Sequence, residues 1–330
     1  MRPIRRGPEV FARSHTPASP NEADSTDWER ERALTRQRWV DERMDLGQTP
    51  ADRAESRAGE PVALHALRQA PRVITSRSNP IYREVKALGQ DKRMRRETGL
   101  TLLDGVHLMQ VAHAAHARFS RILATPAAAG ELANWLDACP GAEGVIVDAD
   151  LFRALAPTQA PTGVMAVVTI PQPRDRSAEF VVLMEEIQDP GNLGALIRCA
   201  AAAGVDAVYL SSGCSEAWSP KALRGGQGAQ FLVDIHEHAD LADVARGFAG
   251  VCHAAVLGAA PSLYALDLRG PCAFAFGNEG AGLGDALLRV CRPFTIPMPG
   301  RTESLNVAAA AAVCLFERVR QLGASASTAR

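Results

Sequence analysis

The sequence predicts an α/β protein with two folded domains, a small α/β domain followed by a larger domain built on a mostly parallel sheet. Two observations lead to this class. Short aliphatic segments alternate with helical segments from residue 72 onward, as they do in α/β folds. In the second half the strand-like segments are apolar at consecutive positions, which is typical of strands covered on both faces. With 330 residues, the chain is long enough for two hydrophobic cores.

Residues 1–70 differ in composition from the rest of the chain. They are crowded with Arg, Asp, Glu, Pro and Ser and contain almost no aliphatic clusters. Such a segment buries too little apolar surface to offset the entropy lost on ordering, so we expect it to be mostly disordered. Within it, residues 28–44 (WERERALTRQRWVDERM) could form an isolated charged helix. We expect a solvated tail, and the alternative is an arm that touches RNA or another partner.

Charge and cysteine content narrow the class of protein. The net charge is −1, so no overall basic field indicates a nucleic-acid partner, and any such partner must be met by a local basic patch. The seven cysteines are spaced too widely along the chain for a zinc site or a redox pair. We therefore expect buried free thiols in a reducing compartment and no metal.

No apolar segment is long enough to span a membrane, so we expect a cytoplasmic protein without a membrane partner.

The first folded domain is predicted over residues 71–170. Its first helix is predicted at 80–88 with Asn79 as its N-cap. Strands follow at 100–103, 120–125, 144–147 and 163–170, with helices at 105–117, 131–138 and 150–155 between them. The helix at 105–117 carries His107, His113 and His116. Because no further ligands accompany them, these histidines are expected at the surface or in packing contacts.

A local basic patch lies at the start of this domain. Between residues 72 and 96 the only acidic residues are Glu84 and Asp91, whereas six of the basic residues are Arg77, Arg83, Lys86, Lys92, Arg93 and Arg95. Such a run is usually a solvated helix face. The excess of positive charge makes contact with phosphate groups an equally good interpretation.

The second domain is predicted at 180–324, after a linker at 171–179 (PQPRDRSAE) and before a short tail at 325–330. Its strands are predicted at 180–184, 207–210, 231–234, 251–257, 272–276 and 294–297, with helices between them. Ligands of parallel sheets bind at the carboxyl ends of the strands. The loops at those ends are therefore the candidate functional segments.

Four loops carry unusual polar or glycine-rich sequence. In DPGNLGALIRCA (189–200), Asn192 is the predicted helix cap and Arg198 lies six residues later. GNEGAGLGDALL (277–288) surrounds Glu279 with glycines but lacks the spacing of the dinucleotide fingerprint. IPMPGRTESLNVAAAAAV (296–313) places Ser304 at the predicted start of a helix. In SPKALRGGQGAQ (219–230), Lys221 and Arg224 suit a phosphate backbone or a solvated turn.

The last helix, predicted at 305–322, is apolar on nearly every side of its first three turns. A helix that is wet on one side would show a polar stripe there, so we expect cover on most sides. Either a second subunit or the core of a monomer would provide that cover, and periodicity does not separate the two.

Taken together and in this order, DPGNLGALIRCA, FGNEGAGL and IPMPGRTESLNVAAAAAV resemble the three motifs of the SpoU/TrmH family of SPOUT methyltransferases. LLDGVHLMQVA, in the first domain, is similar to the opening motif of the small RNA-binding domain that many members carry. The resemblance implies a ribose 2′-O-methyltransferase that uses S-adenosylmethionine to modify rRNA or tRNA. It also implies a trefoil knot at the C-terminal end of the sheet and a homodimer formed through the C-terminal helix. The knot does not follow from the residue pattern, because general topology rules disfavour knots.

The resemblance also assigns roles to residues. The polar active-site positions that it implies are Arg198, Asn192, Glu279, Ser304 and Asn306, and the implied cofactor-binding residues are Leu257, Gly258, Gly277, Ile296, Met298, Leu305 and Asn306. The candidate RNA-binding residues are Arg77, Arg83, Lys92, Arg93, Lys221 and Arg224. A guanidinium stays protonated in proteins, so we expect Arg198 to orient the ribose hydroxyl and a phosphate rather than to remove the proton alone.

Some positions depart from the family's pattern. Ala308 stands where members usually have Ser, Arg224 is followed by Gly-Gly-Gln-Gly instead of Ala-Ser-x-Gly, and Asp104 and Gln110 replace glutamates. Ala308 lacks a hydroxyl that the family's pattern places near the cofactor, whereas the change after Arg224 bears on RNA positioning and not on the cofactor site. A non-catalytic RNA-binding protein that kept the fold is the alternative. Such a protein would be expected to have lost polar site residues, and Asn192, Arg198, Glu279 and Asn306 are all present.

Overall fold

The computed structural model of the protein describes residues 71–158, 160–174 and 177–328. The segment 1–70, including the helix predicted at 28–44, lies outside the described residues. Residues Gln69–Arg330 form one compact unit that contains two β-sheets.

The first sheet has five strands, in the spatial order β1-β4-β3-β5-β2. The strands β1, β4 and β3 are parallel to one another, and β5 runs antiparallel to both β3 and β2. They span Arg72–Ile74 (β1), Leu100–Asp104 (β2), Phe119–Ala124 (β3), Glu143–Val147 (β4) and Val164–Thr169 (β5). The four strands predicted from sequence in this region are confirmed. The short β1 was missed because only Ile74 among its residues is buried, so it shows no apolar run.

Five α-helices accompany this sheet, at Pro80–Gln90 (α1), Lys92–Thr98 (α2), Val106–Ala114 (α3), Ala129–Ala138 (α4) and Ala149–Leu155 (α5). Asn79 caps α1 as predicted, since its side chain accepts from the N–H of Ile81. Helix α2 was missed because its sequence is almost wholly charged. It is nevertheless defined at both ends, by the Asp91 side chain as N-cap and by Gly99 in the left-handed conformation as C-cap. His113 packs edge-on against Trp135, as expected for a packing histidine.

The second sheet has six strands in the order β11-β9-β10-β6-β7-β8, and all its pairs are parallel. The strands span Phe180–Met184 (β6), Ala207–Leu210 (β7), Asp234–His236 (β8), Val251–Ala255 (β9), Cys272–Phe276 (β10) and Arg292–Phe294 (β11). Its helices are Pro190–Ala202 (α6), Pro220–Gly226 (α7), Leu241–Gly247 (α8), Asp285–Leu288 (α9) and Val307–Thr328 (α10). The predicted mixed α/β fold with a parallel sheet is confirmed.

Two strand predictions were displaced. Residues 231–234 do not form a strand, because Gly228 adopts a left-handed conformation and starts a 3₁₀ turn over Ala229–Phe231, so β8 begins only at Asp234. The strand predicted at 294–297 ends at Phe294. Beyond it, Thr295 makes one isolated bridge to Ser262, and the chain then leaves the sheet.

The parallel sheet is covered on both faces, as its apolar strands predicted. Val182 and Met184 of β6 contribute to one hydrophobic cluster, whereas Val181 and Leu183 contribute to another on the opposite face. The first of these clusters also contains Met109 from the first sheet's layer. The two sheets therefore share a continuous apolar core.

Polar contacts also join the two sheets. Arg95 of α2 and Glu216, in the loop before α7, form an ion pair whose side chains are 5% and 7% exposed. The Thr101 hydroxyl of β2 donates to the carbonyl of Trp218 at 2.7 Å. The interpretation of Arg95 as a phosphate contact is therefore wrong, since its guanidinium is buried and hydrogen-bonded to the Glu216 carboxylate, 121 residues away in sequence.

Helices α6 and α7 approach each other backbone to backbone. A Cβ on Gly194 would lie 2.3 Å from the carbonyl oxygen of Ala222, and a Cβ on Gly225 would lie 2.9 Å from that of Gly191. Neither distance is sterically allowed, so both positions require glycine. The Gly-Gly segment after Arg224, predicted as part of a phosphate-binding loop, thus provides the close packing of α7 on α6.

Helix α10 buries one face and exposes the other. Ala311, Cys314 and Leu315 are fully buried, whereas Phe316 and Val319 are 46% and 39% exposed. The helix is therefore not enclosed by the described part of its own chain. It continues to Thr328, beyond the predicted domain end at 324.

All seven cysteines are free thiols, and five of them are buried. The sulfur atoms of Cys252 and Cys291 lie 2.7 Å apart, a contact that their wide separation in sequence did not suggest. Within the described ranges, no cluster of His, Cys, Asp and Glu is arranged to hold a metal ion. None of the described helices is long and apolar enough to cross a membrane.

Candidate active site

Three polar side chains from distant parts of the sequence form a hydrogen-bonded chain at the carboxyl edge of the parallel sheet. The Asn192 side-chain amide donates to Glu279 Oε1 at 2.6 Å. The Asn306 side-chain amide donates to Asn192 Oδ1 at 3.0 Å. Each residue belongs to a different one of the loops that the sequence singled out. The structure thus brings together one polar residue from each of three candidate loops.

Asn192 is held in place by the start of α6. The Asp189 side chain is the N-cap, and its Oδ1 accepts from the backbone N–H of Asn192 at 2.9 Å. The prediction that Asn192 itself caps α6 is wrong, because the helix begins two residues earlier, at Pro190. Asn192 therefore lies in the first turn, and its amide is free to bridge Glu279 and Asn306.

Asp189 is tied to α7 as well as to α6. Lys221 Nζ lies 3.0 Å from Asp189 Oδ2. The N–H of Asn192 and the Lys221 ammonium both stabilise the carboxylate, so the pKa of Asp189 lies below its ordinary value. Lys221, predicted to contact RNA, thus has a partner within the protein, with its side chain still 58% exposed.

Asn306 is the N-cap of α10. Its Oδ1 accepts from the backbone N–H of Ala308 at 2.9 Å and from that of Ala309 at 3.3 Å. The prediction that Ser304 is the cap, with Asn306 in the first turn, is wrong because the helix starts at Val307. One side chain of Asn306 therefore fixes the helix start with its oxygen and reaches Asn192 with its nitrogen.

Replacing the cap is expected to affect stability, whereas replacing Ser304 is not. We expect Asn306→Ala to lower the free energy of unfolding by about 1 kcal/mol, a fall in Tm of about 2–4 °C for a chain of this size. Ser304→Ala, two residues away, should leave Tm unchanged because Ser304 caps nothing. Thermal unfolding followed by circular dichroism measures both. Equal Tm values for the two variants would contradict the assignment of the cap.

The glycine-rich loop after β10 is organised by Asn278. Its Oδ1 accepts from the N–H groups of Gly280 and Ala281, at 2.9 and 3.0 Å. Its amide donates to the carbonyl of Glu186 at 3.0 Å, which anchors the loop to the segment after β6. Sequence reasoning missed Asn278. The available signal was an asparagine two residues before the small pair Gly280 and Ala281, since asparagine side chains often stabilise turns by accepting from the backbone N–H two residues on.

Gly277 is required by the same turn. The backbone of Asn278 pairs with that of Gly282 in both directions. This folds the loop over Gly277, so that a Cβ there would lie 2.2 Å from the Gly282 carbonyl oxygen. Only glycine fits that position.

A cleft of about 420 Å³ opens beside the polar chain, at the carboxyl ends of β9, β10 and β11. Most of the predicted cofactor-binding residues line it, together with Glu279 and Ser304: they are Leu257, Gly277, Ile296, Met298 and Leu305. Gly258 and Asn306 are not part of the lining. The glycine-rich loop at 277–288 was singled out from the sequence, and its residues 280–283 line the cleft. Phe276 and Thr295 were not among the predicted cofactor-binding residues, since they contribute backbone or apolar surface without a polar signature.

Arg198 is not joined to the polar chain. It is exposed on α6, six residues after Asn192, which corresponds to about 9 Å along the helix axis. Among the described residues it has no hydrogen bond or ion pair. Its guanidinium is therefore available to a ligand at the surface of α6.

The other candidate RNA-binding residues are exposed. Arg77, Arg83, Lys92 and Arg93 lie at the surface of the first sheet's layer, and Arg224 lies on α7. Arg93 Nε donates to Glu97 Oε1 at 2.6 Å, an exposed i, i+4 pair of small energy.

Comparison with known proteins places the chain in a family. The SpoU rRNA Methylase family model matches residues 179–316, and the MRM3-like substrate binding domain model matches residues 79–166. An uncharacterized tRNA/rRNA methyltransferase of Synechocystis is 32% identical over 270 residues, which cover 77% of this chain and 96% of that protein. The 23S rRNA (guanosine(2553)-2′-O)-methyltransferase RlmP of Bacillus subtilis is 31% identical over 246 residues, 74% of this chain and 97% of that protein.

A solved structure agrees with these matches. The crystal structure of an AdoMet-bound rRNA methyltransferase from Sinorhizobium meliloti superposes with a TM-score of 0.67 at 28% identity, covering 76% of this chain and 98% of that chain. The residues matched by the two family models include the whole of the second sheet, the first sheet except β1 and the end of β5, and every member of the polar chain. The chain therefore belongs to the SpoU rRNA methylase family, whose members are S-adenosylmethionine-dependent RNA ribose methyltransferases.

Proposed function

We propose that this protein methylates the 2′-hydroxyl of a ribose in ribosomal RNA of the large subunit. The observation that carries the proposal is the Glu279–Asn192–Asn306 chain beside the cleft. The choice of RNA is supported by the name of the Bacillus subtilis relative, a 23S rRNA guanosine methyltransferase acting at a 2′-oxygen.

The cleft fits the methyl donor of the family. Its volume of about 420 Å³ lies within the range of about 300–1,000 Å³ that small-molecule sites occupy. Leu257, Ile296 and Leu305 provide apolar surface, and the folded loop after Gly277 provides backbone groups. When bound, S-adenosylmethionine supplies an electrophilic methyl group on a positively charged sulfur. The residues proposed to hold it are Leu257, Gly258, Gly277, Ile296, Met298, Leu305 and Asn306.

The protein's part in the reaction is mainly alignment and charge placement. Glu279 uses Oε1 to accept from Asn192, which leaves Oε2 to accept a hydrogen bond from the ribose. Asn192 is itself fixed from both sides, by Glu279 and by Asn306. The carboxylate therefore keeps one orientation when a hydroxyl approaches it.

Arg198 and Ser304 are the remaining two of the proposed active-site residues. Arg198 is exposed and without a partner in the described chain, so its guanidinium can bind the phosphate next to the target ribose and orient the hydroxyl. Ser304 lines the cleft, and its hydroxyl is proposed to bind a ligand there. Ala308, where relatives usually have Ser, is buried, and its N–H is bound by Asn306.

RNA binding is proposed to involve both sheets. Residues 71–170 form the substrate-binding domain and residues 180–324 the catalytic domain, with 171–179 as the linker. This division is in keeping with the boundaries of the two matched family models. The cations proposed to contact phosphates are Arg77, Arg83, Lys92, Arg93, Lys221 and Arg224. Because phosphates carry no sequence information, these contacts would set position rather than base identity.

The C-terminal segment is proposed to form the trefoil knot of the family. Two contacts support this. After β11, Thr295 exchanges backbone hydrogen bonds with Pro261 and Leu263, in the loop that follows β9. Helix α10 then packs against α6. The last segment is thus held between two earlier parts of the chain.

Homodimerisation is proposed to occur through the exposed face of α10. Ala309, Phe316 and Val319 lie on one side of this helix and are exposed in the single chain. We expect Phe316→Glu to convert a dimer to a monomer, since it places a charge in an apolar interface. Val73→Glu, at an exposed apolar residue of β1, is the matched control. Light scattering after size-exclusion chromatography gives both masses, and a dimeric Phe316→Glu variant would contradict this interface.

The site of action is proposed to be the cytoplasm. A ribosomal RNA substrate and seven unpaired cysteines both favour a reducing compartment.

The function is tested by deleting the gene and mapping ribose methylation across ribosomal and transfer RNA. We expect one 2′-O-methyl group to disappear from large-subunit rRNA and to return with the wild-type gene but not with Glu279→Gln. Loss of a site in tRNA instead would contradict the choice of RNA. No lost site, together with no binding of S-adenosylmethionine by calorimetry, would favour the non-catalytic alternative.

A further inference from the structure

The ion pair between Arg95 and Glu216 is the most deeply buried charge contact between the two sheets. Arg95 Nε donates to Glu216 Oε1 at 2.7 Å, and Nη2 donates to Oε2 at 2.5 Å, so the contact is bidentate. Nη1 donates to the carbonyl of Leu88 at the end of α1. Two hydrogen bonds in parallel fix both the distance and the angle between the partners.

This pair lies close in sequence to the exposed cations of two helices, α2 and α7. Arg95 points inward from α2, whereas Lys92, Arg93 and Arg96 of the same helix are exposed. At 100° per residue, Arg93 lies roughly 160° around the helix from Arg95. Glu216 is five residues before Lys221 of α7. The pair therefore joins α2 to the loop that leads into α7, the two helices that carry proposed phosphate contacts.

Other contacts place α2 and α7 on a common support. Both helices pack against β2, and Thr101 of β2 holds the carbonyl of Trp218, just before α7. Lys92 lies near Glu237: burial raises the pKa of Glu237, and the charge of Lys92 acts in the opposite direction. Glu237 accepts from the N–H of Ala217, next to Glu216. The basic surface of α2 thus adjoins the segment that leads into α7.

Stability alone does not account for such a pair. Removing two charges from water is costly, and well-packed apolar residues of similar volume often stabilise a protein at least as well. Apolar contacts between the sheets are already extensive, but they are not directional. A bidentate pair adds a single allowed orientation. That matters for a ligand such as RNA, whose phosphates are regularly spaced.

We propose that Arg95 and Glu216 are positioning residues for the RNA substrate, which fix the cations of α2 relative to those of α7 as one phosphate-binding surface. The proposal rests on the proposed function, because it assumes an RNA that reaches from the first domain to the active site. Neither residue touches RNA. The pair acts by setting the spacing of Lys92 and Arg96 on one helix relative to Lys221 and Arg224 on the other.

The test replaces both charges at once with apolar residues. Arg95→Met combined with Glu216→Leu leaves no unpaired buried charge, so the variant is expected to fold with a Tm near that of the wild type. We expect the KM for rRNA to rise about tenfold, the size of an ordinary coupling between contacting groups. The kcat at saturating RNA and the Kd for S-adenosylmethionine should change less than about twofold. The control replaces the exposed pair Arg153 and Asp150 in the same way and should leave the KM unchanged.

Arg95→Lys separates geometry from charge. It keeps a buried positive charge opposite Glu216 but loses the planar fork. We expect its KM to lie between those of the wild type and the double variant. A KM for the double variant equal to that of the wild type would overturn the proposal. So would a loss shared equally by KM, kcat and cofactor binding, which would indicate a general defect of folding.

A measurement without RNA keeps this proposal distinct from the proposed function. Spin labels attached through non-natural residues at Glu131 and Ala249, both exposed, report the distance between the two domains. The wild type should give one narrow distance distribution and the double variant a broader one. Equally narrow distributions would overturn the positioning role even if the enzyme methylates rRNA. A wild type that methylates no rRNA would instead refute the proposed function.

If the double variant does not fold, Glu216→Gln is measured by the same two methods, and unchanged KM and distances overturn the proposal.

Discussion

Arg198→Ala is expected to lower kcat by a hundredfold to a thousandfold, roughly the cost of losing one preorganised donor at a reacting group. The affinity for S-adenosylmethionine should stay within about twofold of the wild type, because Arg198 does not line the cleft. The physical reason is that its exposed guanidinium has no partner in the described chain and would contact only the RNA. Single-turnover methylation and calorimetry measure the two quantities.

Arg153→Ala is the control for this variant. Arg153 is also an exposed arginine on a helix, but it belongs to α5 of the first domain and pairs with Asp150. We expect it to change neither quantity. If Arg198→Ala weakened cofactor binding and turnover by the same factor, Arg198 would have to be assigned to the cofactor instead of the ribose and its phosphate.

Gly277→Ala is expected to reduce the affinity for S-adenosylmethionine by at least tenfold. The new Cβ would overlap the carbonyl oxygen of Gly282, and the loop would have to open by moving backbone atoms. Overpacking of this kind costs about 1–3 kcal/mol, and each 1.4 kcal/mol corresponds to about a tenfold change in Kd. Because the loop forms one wall of the cleft, the cost should appear in cofactor binding. Calorimetric titration with S-adenosylmethionine measures it.

Gly280→Ala provides the matched control in the same loop. A Cβ at this position would come no closer than 3.5 Å to Asn278 Oδ1, an ordinary contact. We expect nearly wild-type affinity. Similar losses in the two variants would show that the loop tolerates no substitution at all, and that the close approach at Gly277 is not the cause.

The sequence identified the loops that carry the polar residues of the site, but not how those residues are arranged. Asn192, Glu279 and Asn306 could be assigned to the same edge of the sheet, because the carboxyl ends of parallel strands lie at one edge. The caps could not be placed, since Asp189 and Asn192 are both good cap residues, as are Ser304 and Asn306. Which one is used depends on the residue at which the helix leaves its loop.

Long-range partners were beyond the reach of sequence. Arg95 looked like its exposed neighbours because nothing near it in the chain reveals the carboxylate of Glu216. Similarly, the start of β8 depended on the left-handed conformation of Gly228, which created a 3₁₀ turn where an apolar strand was expected. In both cases tertiary contacts or single backbone angles overrode a local pattern that was correctly recognised.

The backbone-to-backbone packing of α6 on α7 limits how related sequences can drift. A relative with a side chain at the position of Gly194 must hold α7 farther away, since the carbonyl of Ala222 occupies that space. Moving α7 would also move Lys221 away from Asp189 and loosen the cap that orients Asn192. We therefore expect related sequences either to keep both Gly194 and Gly225 or to replace both of them. Their exchange in one lineage would mark a change in how its active site is supported.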